Sequence, residues 1–329
     1  MFRTSYSSFL ILGFYLLSIG LVSCKQNAKN DASQNPDDDT LLFDLNYNSL
    51  QLELDITHFS PDIPSSIELT PILEESSGIL ASRINPNMYW LHEDSGSESE
   101  IYLYHENGQR KQHYRIQGIE ARDYEDISYG FGPQNLNNYI YLGDIGDNSQ
   151  SRPNIVIYRF PEPNYNLDSN LNEINHAEKL TLTYPIKGGE VQSENAEAFF
   201  IDPISGDLFL FSKSTTLCQV FTVAAPLPFG KNAGLKHIGD LNFRYQKITG
   251  ADISADGLHI LIKSYDYVYY WKRERNQTIV DALQTIPVRL TYQAEPQGEA
   301  ITWKPNTMSY VTVSEFKSGV TPAFRVYNP

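Results

Sequence analysis

The chain has 329 residues, 41% of them hydrophobic, with 22 Tyr and 16 Phe, only two Cys, and a formal charge of −15. That charge makes nucleic acid and anionic membrane surfaces poor partners. Cys218 is the one cysteine beyond the leader, so no intrachain disulfide is expected, and the absence of a Cys/His zinc spacing, a G-x-S-x-G or a P-loop removes several enzyme classes.

Residues 9–22, FLILGFYLLSIGLV, carry no charge. The run is signal-peptide length and falls short of the roughly 20 residues a spanning helix needs. It ends in Leu21-Val22-Ser23-Cys24, which resembles the bacterial lipobox. Residues 1–24 are therefore expected to be a lipoprotein signal peptide and Cys24 the lipidated anchor. That places the protein in the bacterial cell envelope, on the outer membrane, facing the periplasm or the surface. The stretch KQNAKNDASQNPDDD that follows has no aromatic or β-branched residue and cannot offset its ordering entropy by burial. Residues 25–48 are expected to be a flexible tether and 49–329 the folded domain.

From there short runs rich in Tyr, Phe, Ile, Val and Leu alternate with Gly, Pro, Asn and Asp, as in MYWLHE (88–93), NYIYLG (138–143), NIVIYRF (154–160) and DLFLFS (207–212). This pattern predicts an all-β domain built from hairpins. Five strands open alike, at Ser77-Gly78-Ile79, Glu125-Asp126-Ile127, Glu197-Ala198-Phe199, Ala251-Asp252-Ile253 and Glu299-Ala300-Ile301. A repeat of roughly 40–50 residues with four strands each is the signature of β-propeller blades. One long interval holds the polar insertion at 161–178, which reads as an extended loop. Five openings predict five blades; a sixth would require a degenerate blade within residues 41–70. The last repeat ends one strand short, so QLELDI (51–56) or SSIELT (65–70) is expected to supply that strand and close the ring.

In a blade the inner strand starts on the face where the second strand hands over to the third. The loop YLGDIGDN (141–148) should therefore share the channel mouth with Glu125, Glu197 and Glu299. Three carboxylates around one axis repel unless a cation or protons neutralise them. Calcium, which takes six to eight oxygens, fits such a ring. Asp252, in the blade-four opening, joins them as a metal-ligand candidate. The alternative is that each carboxylate latches backbone N–H groups of a neighbouring blade. Asp144, Asp147, Lys213 and Lys263 are the catalytic candidates, with the two lysines expected to end corresponding strands. Asn148, Arg152, His92 and Asp94 are candidates for ligand contact.

The segments DYEDIS, NAEAFFIDPISGDLFLFSK, ITGADIS, QGEAITW, YLGDIGDN and IYRFPEP together resemble a family of secreted bacterial propellers related to the esterase-like domain of phytases. The order of openings is also similar, more remotely, to the calcium-activated nucleotidases (apyrases). That resemblance implies a five-bladed ring with calcium in the channel and Glu125, Glu197 and Glu299 at the metal. Ser77 and Ala251 depart from it, having no carboxylate. Two functions follow as expectations. One is a calcium-dependent hydrolase of ester or phosphoester bonds. The other is a non-catalytic propeller, a monomer, that holds a small anionic ligand, glycan, peptide or protein on its top face.

Overall fold

The computed structural model describes residues 41–329 except 61, 95, 97, 121, 134–137 and 166–171. The leader, Cys24 and most of the expected tether lie outside the described residues, as does the middle of the polar insertion. Five antiparallel sheets follow one another along the chain. Their inner strands are Ser76–Ala81, Tyr124–Gly130, Ala196–Ile201, Ile248–Ile253 and Gly298–Trp303. Each of the five contacts the next, and the fifth contacts the first, which makes the sheets the blades of a closed β-propeller.

Ring closure follows the expected route. Ser65–Glu68 pairs antiparallel with Ala323–Tyr327 as the outer strand of blade five. QLELDI runs instead beside blade four, where Leu54 bridges Arg289. Order begins before residue 49, because Phe43–Asn46 adds a parallel edge strand to Lys236–Asn242 of blade three. Gly239 makes this possible: a Cβ there would lie 2.4 Å from the Phe43 ring. The end of the insertion is also strand, since Glu173–Ile174 pairs with Arg115–Ile116 of blade one. Such parallel additions cover edges that would otherwise present unpaired N–H and C=O groups.

Blades stack face to face, so most strands are apolar on both sides. The core accordingly divides into clusters at blade interfaces. Trp90, Leu103, Tyr124 and Ile140 join blades one and two, Phe199, Leu210 and Tyr141 join two and three, and Tyr270, Trp303, Tyr310 and Phe59 pack between four and five. Aromatic residues suit this role because each buries a large area and still reaches polar partners at its tip.

Inside the channel, Asp126 and Asp252 do what the latch alternative assigned to the glutamates. Asp126 accepts from Ile127 N at 2.8 Å, Phe199 N at 3.0 Å and Ala251 N at 3.4 Å, joining blades two, three and four. Asp252 accepts from Ile253 N at 2.8 Å, Trp303 N at 2.7 Å and Thr302 Oγ1 at 3.0 Å. Thr302 Oγ1 in turn accepts from Ala81 N at 3.2 Å, so blades four, five and one are tied as well. Burial still pushes the Asp252 carboxyl up to about 6. Asp252→Ala removes the acceptor of three buried donors, and we expect a loss of about 2–4 kcal/mol in urea unfolding. A loss under half a kcal/mol would refute the latch.

Candidate functional site

In every blade the pairing of inner and second strands skips one residue. The skips fall between Ser76 and Gly78, Tyr124 and Asp126, Ala196 and Ala198, Ile248 and Gly250, and Gly298 and Ala300. A bulge leaves its residue outside the ladder and re-aims the side chain. The bulged residues are thus Ser77, Glu125, Glu197, Thr249 and Glu299, at one level around the channel. This corrects the alignment of blade four: the equivalent of the glutamates is Thr249, two residues before Ala251. Asp252 lies deeper in the channel as a latch and is not brought together with the three glutamates.

A second level surrounds the first. The residues that follow the second strands in register are Asp94, Ile145, Lys213, Tyr265 and Glu315. Four of them donate their N–H to the residue two places before a bulge: Asp94 to Glu75 O, Ile145 to Asp123 O, Lys213 to Asn195 O and Glu315 to Gln297 O. The mouth is therefore lopsided. Blades five, one and two bring Glu315, Glu75, Asp94, Asp123 and Glu125, whereas blades three and four bring Asn195, Lys213 and Tyr265 opposite Glu197 and Glu299.

The three bulged glutamates are buried but unequally satisfied. Glu197 takes Lys213 Nζ at 2.7 Å and Asn195 Nδ2 at 2.7 Å. Glu299 takes Tyr265 OH at 2.8 Å and Gln297 Nε2 at 3.1 Å, with Lys213 Nζ at 3.9 Å. Among the described residues Glu125 has only the Ser77 hydroxyl, at 3.4 Å from its Oε2, and that hydroxyl also donates to Glu125 O at 3.0 Å. Burial, followed by the charges of Glu197 and Asp94, pushes the Glu125 carboxyl well above the usual range, with Lys213 in partial opposition.

The GDIGDN loop is tied to itself. Asp144 accepts from Arg152 Nη1 at 2.8 Å and from Asp123 N at 3.2 Å. Asp147 accepts from Arg152 N at 2.6 Å, and its own N–H goes to Asn195 Oδ1 at 2.6 Å. Arg152 Nη1 also donates to Gly146 O at 2.7 Å. Asn148 Oδ1 meets Asn195 Nδ2 at 3.3 Å. Asp144, Asp147 and Arg152 thus hold the loop in shape, and what they hold against the mouth is Gly146. A Cβ on Gly146 would lie 2.1 Å from Glu125 Oε1 and 2.4 Å from Asp123 Oδ2. Only a glycine lets the backbone back onto these carboxylates.

Two other candidates sit away from the mouth. Lys263 corresponds in register to Phe211, while Lys213 corresponds to Tyr265, so the two lysines do not end matching strands. Lys263 is wholly buried, donates to Ser264 O and Gly298 O, and is pushed down to about 8 by burial. His92 is fully buried beneath Gly78, its Nδ1 near Glu93 O at 3.2 Å, and burial brings it down to about 4.

Seven carboxylates thus border the mouth, and two trios of them converge. Asp94, Asp123 and Glu125 offer oxygens all within 4.8 Å of one another, as do Glu75, Asp94 and Glu315. Oxygens bound at 2.3–2.6 Å to one calcium lie at most about 5 Å apart, so either trio can share an ion. Glu75, Asp123 and Glu315 were not among the sequence candidates. The signal for the first two was present, since a polar residue stands two places before each bulge in ESSG, DYED, NAEA and QGEA. A cavity of about 430 Å³ opens on the opposite face, lined by Tyr129, Asp252, His259, Trp303 and Lys304. Its Asp252 is engaged by three donors and its Lys304 by Glu106 at 2.9 Å, so the acidic mouth is the better candidate site.

No protein-family model matches this chain, and no curated protein matches it either.

Two outcomes follow from this geometry. Arg152→Ala strips a buried carboxylate of its cation and is expected to cost about 3–5 kcal/mol of stability; a variant as stable as wild type in urea would refute the structural role. His92, neutral and buried, should show no inflection in its NMR ring-proton shift between pH 5 and 8, and a midpoint near 6.5 would place it in solvent instead.

Proposed function

We propose that this protein is an extracytoplasmic calcium-binding propeller, held to a bacterial membrane by lipid at Cys24, whose mouth receives a small anionic ligand. The observation that carries the reading is the convergence of Asp94, Asp123 and Glu125, whose oxygens lie within 4.8 Å of one another. Glu197 is bonded by Lys213 and Asn195 and Glu299 by Tyr265 and Gln297, while this trio has Gly146 pressed against it. The donor set supports calcium, because every group is a hard oxygen and no His or Cys stands among them. Asp94, Asp123 and Glu125 would hold the ion; when bound, it would neutralise them and draw an oxyanion toward the mouth.

Lys213 extends the reading to an anionic ligand. Its ammonium lies between Glu197 and Glu299 and 5.2 Å from the centre of the Tyr265 ring. A cation in that place can meet a negative group beside the calcium. The same position is what supports hydrolysis of an anionic ester as the second reading, with Lys213 offsetting developing charge. Binding is favoured over hydrolysis because Asp144, Asp147 and Lys263 are committed to the fold, which leaves Lys213 as the one catalytic candidate facing the mouth.

Calcium at about 100 times its dissociation constant should stabilise the native state by roughly 2.7 kcal/mol, a rise of about 5 °C or more in Tm. Glu125→Gln keeps the shape, removes the charge and should abolish most of that rise. A melting curve indifferent to calcium and to chelator would sink the reading. Calcium-dependent turnover of a phosphoester or carboxylester, lost in Lys213→Ala, would move the assignment to a hydrolase.

A further inference from the structure

Glu315 stands where the other blades place a residue with a partner. Lys213 at that register position pairs with Glu197, Tyr265 bonds Glu299, and Ile145 is apolar and buried. Glu315 is only 8% exposed, yet among the described residues its carboxylate has neither a hydrogen-bond donor nor an ion-pair partner. What it faces is more negative charge: one of its oxygens lies within 4.8 Å of oxygens of both Asp94 and Glu75. The Lys213 ammonium is already committed to Glu197. A carboxylate so enclosed, with carboxylates as its nearest charged neighbours and no donor, is costly in any protein.

We propose that the mouth holds two divalent cations bridged by Asp94, one with Asp123 and Glu125 and the second with Glu75 and Glu315. The inference rests on the calcium reading above and adds a second ion to it. Asp94 is the one residue common to both trios, and a carboxylate with two oxygens can bind two ions at once. The second ion supplies the partner that Glu315 lacks. Because Glu75 is exposed, this ion sits at the outer side of the mouth, while the first sits against Glu125 and the channel. The pair would also spread four units of positive charge over five carboxylates, the acidic side of the lopsided mouth.

The test is calcium stoichiometry, measured by equilibrium dialysis and calorimetry on the chelator-stripped full chain. Wild type should bind two calcium ions. Glu315→Gln should bind one, with the remaining affinity changed less than about threefold. Glu75→Gln, at an exposed position where packing is not at stake, should give the same result. Asp94→Asn should weaken both sites tenfold or more. One ion in wild type, with Glu315→Gln and Glu75→Gln unchanged, overturns the second site and leaves the first standing. Two ions retained in both variants overturn the assignment of Glu75 and Glu315. No binding by wild type overturns the calcium reading itself.

Discussion

The constraint on which the structure depends is a one-residue bulge repeated at the entrance of five inner strands. Without it, the residue at each opening would point along the pleat into a blade interface. With it, Ser77, Glu125, Glu197, Thr249 and Glu299 leave the ladder and turn to the axis. The same irregularity aims later amides of each inner strand at the channel, where Asp126 and Asp252 collect them. One backbone device thus yields both the acidic mouth and the bonds that hold the ring together beneath it.

The mouth concentrates like charge in a place of low polarity, and the fold manages only part of it. Lys213 and Asn195 bond Glu197, and Tyr265 and Gln297 bond Glu299, on one side, although Glu299 Oε2 has only the Lys213 ammonium at 3.9 Å. On the other, no positive side chain among the described residues faces Glu125 and Glu315 as closely, and burial with like charge pushes both carboxyls up. The GDIGDN loop belongs to the same economy of space: its ion pair and amide bonds bring the chain close enough that Gly146 alone fits.

Much of the architecture was legible in the sequence because propeller blades repeat. The apolar runs, the turn residues and the recurring Glu-containing openings located most inner strands and gave the blade number, and the missing final strand pointed to an N-terminal segment, of which Ser65–Glu68 rather than QLELDI closes the ring. Blade four was misread because Ala251-Asp252-Ile253 mimics Glu125-Asp126-Ile127 in chemistry, while the bulge, which only backbone pairing reveals, falls at Thr249. Asp144 and Arg152 looked chemical because they are charged and near glycines; their mutual ion pair is a tertiary fact. Glu315 was not found because a loop glutamate on an acidic chain carries no sign that it is buried without a partner.

The closure of blade five also has a kinetic meaning. Its outer strand, Ser65–Glu68, is made near the start of the chain and its partner, Ala323–Tyr327, at the far end. Contacts so distant in sequence must await the closing of a very long loop. Four blades can stack as soon as they emerge, but the annulus stays split until the last strand is delivered. Until then the first and fifth blades lack the strand that joins them, and the ring is an open arc.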